Sequence, residues 1–469
     1  MQYISTRGEA PRLNFEEVLM AGLARDGGLY VPEAWPSFSN EQIASLGGRD
    51  YVNAAASVLK PFVGDTIAAQ DLEALIASAY AEFAHPATTP LIQLGPNLWL
   101  LELFHGPTLA FKDLAMQLLG LWMDRTLVRL GQRATILAAT SGDTGAAAVE
   151  AFKNREAIDL FVLFPDGRIS PAQRKQMTTS GAENVYPMAI RGTFDDCQNL
   201  VKALRDEAQL SAVNSINWAR IVAQMVYYFT SGVALGAPNR GVRFSVPTGN
   251  FGDIFAGFAA MRTGLPVKRL TIATNSNDIL ARTLETGRYE PRPVVATASP
   301  SMDIQISSNF ERLIFEVSGR DAERVRAVMA EFAEKGMFTL SEAERARIAD
   351  TFSAHRVDEA ETAATIARVY RETGYLADPH TAVGLAAAER EAEAEGADAA
   401  SPMIALATAH PAKFPDAMER AAARSADVPE RLQKVLSGTE QYSTLDANAD
   451  TVRQFIRERA RSIARGVQS

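Results

Sequence analysis

The chain has a single cysteine, Cys197, among 469 residues, so no disulfide can form within it and nothing points to an oxidising compartment. Its five histidines include no H-E-x-x-H pair, and one thiolate cannot build a cysteine metal site. No metal is expected. No glycine is followed directly by lysine, which removes the Walker phosphate loop, and no G-x-G-x-x-G occurs for a dinucleotide. A G-x-S-x-G nucleophile elbow is missing as well. Nowhere do about 18 apolar residues run without interruption, so no membrane span is expected. Met1 to Arg12 lacks the basic start and apolar run of a secretion signal, and the expected location is the cytoplasm. Positive charge is also in short supply: 47 Lys and Arg stand against 56 Asp and Glu, for a net charge of -9. A general nucleic-acid binder needs a basic face, so none is expected here.

What is present is the balance of an ordinary globular protein, 47% hydrophobic and 22% charged, in a chain long enough for two or three domains. Residues 1–90 read as a separate, mainly helical unit. Asn14 caps a first helix with Glu17 three residues on, and "DGG" at Asp26 to Gly28 is expected to end it. Further helices are expected over Glu41 to Leu59 and Asp71 to Phe83. After Pro90, apolar runs such as "LWLLELF", "ATILAAT", "DLFVLFP", "RFSVPTG", "RLTIATN" and "SPMIALATA" alternate with amphipathic helices. That alternation predicts an α/β fold with parallel sheets covered on both faces. Near the end, Asp378 reads as a helix cap with Pro379 at the first helical position. The last forty or so residues read as a polar helical tail.

Three strand-to-helix junctions suit anions. In "SVPTGNFGDIFAGFAAM", Gly249 and Gly252 bracket a tight turn before a small-residue helix. Glycine permits positive φ and lets bare N–H groups approach an anion, while the helix N-terminus adds partial positive charge. In "LAATSGDTGAAAVEAF", Ser141, Asp143 and Thr144 could offer donors to a carboxylate, and capping alone would explain them equally well. In "LFHGPTLAFKDLAMQLLG", Lys112 begins a strongly apolar helix, where desolvation would lower its pKa and favour Schiff-base chemistry. Most lysines are exposed and inert. Lys112 alone decides nothing.

Taken together and in order, "HGPTLAFKD", "TSGDTG", "VPTGNFGD", "SSNFERL", "DPHTAVG" and "TAHPAKF" resemble the threonine synthase family of fold type II pyridoxal-phosphate enzymes. The likeness spans nearly the whole chain and is to the bacterial and fungal branch. It implies an N-terminal domain at 1–90 and a catalytic region at 91–469. That region would hold two α/β subdomains with the active site between them and a helical tail from about 425 to 469. It implies pyridoxal 5'-phosphate carried on Lys112, its phosphate held by Gly249, Asn250, Phe251 and Gly252 with Asp253 in the same segment, and Thr408 facing the ring nitrogen. Ser141, Asp143 and Thr144 would orient the substrate carboxylate, and Arg312 and Lys413 would bind the substrate phosphate. The implied reaction is O-phosphohomoserine and water to threonine and phosphate, in a monomer rather than a dimer. A serine or threonine dehydratase of the same fold type, or a non-catalytic relative that keeps the fold for binding, are the alternatives.

Overall fold

A computed structural model of the chain describes residues 1–140, 142–204, 215–394 and 400–461. Each of the six apolar runs singled out above forms a strand. The larger sheet has six strands in the order Phe352–Arg356, Val267–Thr274, Val242–Pro247, Met403–Ala407, Leu98–Glu102 and Leu91–Gln93. Its neighbours are parallel except the last pair. The smaller sheet is parallel throughout, in the order Ser443–Asp446, Val185–Arg191, Ile158–Pro165 and Ala134–Ala139. Every residue of Ile158–Pro165 and of Val242–Pro247 is buried. Helices cover both faces, which is why these strands are continuously apolar instead of alternating.

The opening unit departs from expectation in its boundaries. Asn14 and Glu17 form the reciprocal capping box, but the helix Phe15–Ala21 stops at Gly22, before "DGG". The span expected as one helix is two, Asn40–Ala44 and Tyr51–Val63. Gly48 takes a positive φ between them, and the Asp50 side chain then caps the second helix at the Asn53 N–H. The next helix is Ala69–Tyr80. A short antiparallel pair, Tyr3–Ser5 with Tyr30–Pro32, sits among these helices.

This unit shares its core with the rest of the molecule. The Phe15 ring meets Trp122 edge-on at 5.0 Å, and Tyr3 lies 5.8 Å from Trp218. Tyr80 donates its hydroxyl to the Leu114 carbonyl of the helix Lys112–Leu130. Large aromatic surfaces are thus buried across the seam, where their burial is worth most. The tail also differs from a purely helical one. Between helices Glu430–Ser437 and Ala449–Arg459, Ser443–Asp446 completes the smaller sheet.

The carboxyl ends of the strands Leu98–Glu102, Ala134–Ala139, Val242–Pro247 and Met403–Ala407 lead into the loops that carry the candidate motifs. In open parallel sheets this is the edge where ligands bind.

Candidate functional site

Lys112 opens its helix at a point tied to the end of a central strand. Ala110 bridges Ala409, and the Phe111 N–H donates to the Thr408 carbonyl. Asp113 folds the preceding loop by accepting from the Thr108 N–H and hydroxyl at 2.7 and 2.8 Å. Burial pushes the Asp113 pKa up to about 7 against those bonds. The Lys112 side chain is 11% exposed, with Nζ 3.9 Å from Asp143 Oδ2. It also lies 3.3 Å from Ser301 Oγ and 5.2 Å from the centre of the Phe111 ring. Burial lowers its pKa to about 8; Asp143 opposes this, while Lys413 and Arg220 add to it. At pH 7.5 roughly a quarter of such an amine is neutral, against about a thousandth of an ordinary lysine. It is poised as a base and nucleophile near neutral pH.

The turn at Gly249 does not take the positive-φ glycine conformation expected of it. Neither Gly249 nor Gly252 has positive φ; Phe251 does, at 63°. Its ring is locked in the core 5.4 Å from Phe310 and 5.7 Å from Phe352, which holds the backbone there. The glycines are needed for space. A Cβ on Gly249 would stand 3.0 Å from Ile304 Cδ1 and 3.2 Å from the Ser301 carbonyl, and one on Gly252 would stand 3.3 Å from Asn309 Nδ2. "SSNFERL" supports the turn from behind. Ser307 donates to the Gly249 carbonyl at 2.7 Å, and Asn309 donates twice to the Asn250 carbonyl. The N–H groups of Gly249, Asn250, Phe251 and Gly252 meet no acceptor among the described residues. Four open donors at the start of the helix Gly252–Arg262 fit a phosphate such as that of pyridoxal phosphate.

Asp253 does not take part as expected. Its carboxylate turns into the core and accepts from the Tyr227 and Tyr228 hydroxyls. Burial pushes its pKa up to about 6 despite those two bonds. A side chain aimed away from the turn gives an anion nothing. Asp253→Asn is therefore expected to leave cofactor affinity within about threefold, well under 1 kcal/mol. Titration of the variant with pyridoxal phosphate checks this, and a loss beyond about tenfold would put the carboxylate in the binding site.

Of the carboxylate-binding candidates, Ser141 lies outside the described residues. Asp143 is buried and accepts from Lys413 Nζ at 2.6 Å, Gln173 Nε2 at 3.2 Å and Ser301 Oγ at 3.3 Å. Burial works against its ionisation, but Lys413 and Lys112 overcome this and hold the carboxyl far below its usual range. A permanent anion cannot itself receive a carboxylate, which corrects the role expected for Asp143. The donors left for that task are the N–H groups of Asp143 and Thr144, which have no acceptor among the described residues. Lys413 belongs to the cluster, with its side chain fully buried and also donating to the Thr108 carbonyl at 3.0 Å. Arg312 does not. It is fully buried and donates to the Tyr30 carbonyl, to Asn309 Oδ1 and to the Ile216 carbonyl. Its charge is spent bracing Asn309 behind the turn, so it is no substrate cation. Arg220, which the sequence reading passed over, is buried and close enough to lower the Lys112 pKa. Thr408 is 5% exposed, and its hydroxyl has no partner among the described residues. Such a group is available to a ring nitrogen.

Residues 2–80 match the family of threonine synthase N termini, 83–355 the pyridoxal-phosphate dependent enzymes, and 381–456 the threonine synthase C-terminal family. A threonine synthase of Pseudomonas aeruginosa is 48% identical over 463 residues, covering 97% of this chain and 98% of its own. The solved PLP-bound threonine synthase of Brucella melitensis superposes with a TM-score of 0.95 at 54% identity, covering 98% of this chain and 100% of that one. The yeast threonine synthase structure gives 0.93 at 38% identity, with 99% of each chain covered.

Proposed function

The chain belongs to the threonine synthase family of fold type II pyridoxal-phosphate enzymes, a lyase turning O-phospho-L-homoserine and water into L-threonine and phosphate, and we propose that Lys112 is its central base. The observation that carries this is a buried amine with a lowered pKa, bonded to Ser301, whose carbonyl packs against the turn of open N–H groups. Gly249, Asn250, Phe251 and Gly252 would hold the cofactor phosphate through their N–H groups. Thr408 would face the ring nitrogen, and Lys112 would carry the cofactor covalently. When bound, pyridoxal phosphate supplies an electron sink for charge developing on the substrate carbons.

The chain's own groups do the rest. The N–H groups of Asp143 and Thr144, with the Thr144 hydroxyl, receive the substrate carboxylate at the start of the helix Asp143–Phe152. Lys112, as the free amine, takes one proton from Cα and one from Cβ as phosphate leaves Cγ; protons return at Cγ and Cα, water adds its hydroxyl at Cβ, and its other proton leaves with the phosphate. The role expected for Lys413, fully buried and paired with Asp143, is corrected in the same way as that of Arg312, and Arg220, near enough to act on Lys112, would supply positive charge toward the substrate phosphate. One amine making several transfers requires that bulk water be kept out, and the buried setting of Lys112 supplies that.

The assay is direct. Purified protein given O-phosphohomoserine releases phosphate and threonine in equal amounts. Release of ammonia from serine with neither product would make it a dehydratase, and no uptake of cofactor at all would make it a binding protein. Thr408→Asp tests the placement at the ring nitrogen. A carboxylate there would hold a proton on that nitrogen, so side products should rise relative to threonine; an unchanged ratio sinks the placement. We also propose division of the chain at 1–90 and 91–469, a cytoplasmic location and a monomer. Among the described residues no helix is long and apolar enough to cross a membrane.

A further inference from the structure

Ser301 sits in a short turn, Pro300–Met302, between the lysine and the phosphate turn. Its hydroxyl and its N–H are both engaged. The hydroxyl accepts from Lys112 Nζ at 3.3 Å and donates to Asp143 Oδ2 at 3.3 Å. The N–H donates to His380 Nε2 at 3.2 Å. The carbonyl packs against Gly249, 3.2 Å from where its Cβ would stand. Lys112 and Asp143 are 3.9 Å apart, beyond a good hydrogen bond, so this hydroxyl is the connection between them.

The polarity of that connection is fixed from its far end. Asp143, held ionised by Lys413, can only accept, so the Ser301 proton points at Asp143 and its lone pairs point at Lys112. A neutral amine has two N–H bonds and one lone pair. With one N–H committed to Ser301, its lone pair is no longer free to turn. The same oxygen still accepts when the amine has gained a proton, so nothing needs to rearrange between transfers.

His380 is held with the same definiteness. Asp378 Oδ1 lies 2.8 Å from His380 Nδ1 and also accepts from the His380 N–H, while Asp378 Oδ2 accepts from the Thr381 N–H. A carboxylate at Nδ1 and an N–H at Nε2 leave one consistent assignment, with the ring proton on Nδ1. The segment is pinned on both sides as well. Asn275 donates to Ser299 Oγ at 3.0 Å and to Asp303 Oδ1 at 2.8 Å.

We propose that Ser301 is a catalytic residue that aims the Lys112 amine, and that His380, set by Asp378, is the positioning residue that holds Ser301 in place. This rests on Lys112 being the base and the carrier of the cofactor. Ser301→Ala and Ser301→Thr are compared with the natural protein in three measurements. The first locates the borohydride-reduced cofactor by peptide mass spectrometry. The second follows carbamylation of Lys112 by cyanate against pH in cofactor-free protein. The third is steady-state kinetics. Ser301→Ala should keep the adduct on Lys112 yet move the carbamylation midpoint down by about half to one pH unit, because one hydrogen bond to the charged amine is gone. Its kcat should fall about tenfold with KM within about twofold, the mark of an interaction that matters in the transition state. Ser301→Thr, which keeps the hydroxyl, should recover most of both. His380→Leu should reproduce the loss of kcat, and His380→Gln, which keeps an acceptor there, should restore part of it. An adduct on Lys112 with midpoint and kcat unchanged in Ser301→Ala overturns this inference alone. An adduct on a different lysine in the natural protein overturns the parent reading with it.

Discussion

Lys112→Ala should abolish covalent attachment of the cofactor and lower kcat/KM on O-phosphohomoserine by at least about 10²- to 10⁴-fold, the range for removing a positioned base alone. Loss of the attachment itself adds to that. Phosphate release and the visible absorbance of the loaded protein are the readouts. Stability should move the other way. Burial lowers the Lys112 pKa from 10.5 to about 8, so below pH 8 the fold holds an ammonium it disfavours. At 1.36 kcal/mol per pH unit this costs up to about 3 kcal/mol. Lys112→Met, which keeps the volume, should therefore melt higher than the natural protein. The sign follows from proton counting. Between pH 8 and 10.5 the unfolded chain binds the proton and the folded one does not, so the natural protein gains stability there as pH rises. The advantage of the variant should be full below pH 8 and gone above 10.5. A variant that melts lower at pH 7 would mean that the amine is stabilising and not strained by burial.

Asp143→Asn carries the second large effect. It removes the anion facing Lys413, whose side chain is fully buried. Breaking a buried pair by taking one partner costs roughly 3–5 kcal/mol, because the remaining charge has no compensation. Asp143 also raises the Lys112 pKa, so its loss should move the amine's midpoint further toward acid. The carboxyl is held far below its usual range, so the stability it lends is present above the unfolded pKa and is lost only in strong acid. The destabilisation measured by denaturant should accordingly persist from pH 5 to 9, and be largest at the acid end, because the Lys112 ammonium is disfavoured more in the variant until pH rises past about 8. Adding Lys413→Met should return most of the stability, since neither charge is then buried alone. A single variant as stable as the natural protein would show that Asp143 and Lys413 do not form the pair described.

Both variants concern contacts that no reading of spacing could supply. Asp143 and Lys413 are brought together by loops at the ends of strands from different sheets, and Lys112 reaches Asp143 through Ser301. The sequence resemblance picks out Asp143 as part of a binding loop, and only tertiary structure reveals that its carboxylate is already occupied. Arg312 fails for the same reason, since its three acceptors come from three separate segments. The strands that were legible carry long apolar runs, and among them Ile158–Pro165 and Val242–Pro247 are buried throughout. Phe352–Arg356, a polar sheet edge, and Ser443–Asp446, four residues with alternating exposure, give no comparable signal. The turn at Gly249 was legible in position but not in conformation. The left-handed residue is Phe251, fixed by packing that local sequence does not show.

The central claim is that a single buried amine, Lys112, holds the cofactor beside an anion-ready turn. Protein loaded with pyridoxal phosphate, reduced with borohydride and digested should yield one pyridoxyl-modified peptide, carrying the label on Lys112 and missing from Lys112→Ala. A label on any other lysine, or a coloured protein that yields none after reduction, would contradict it.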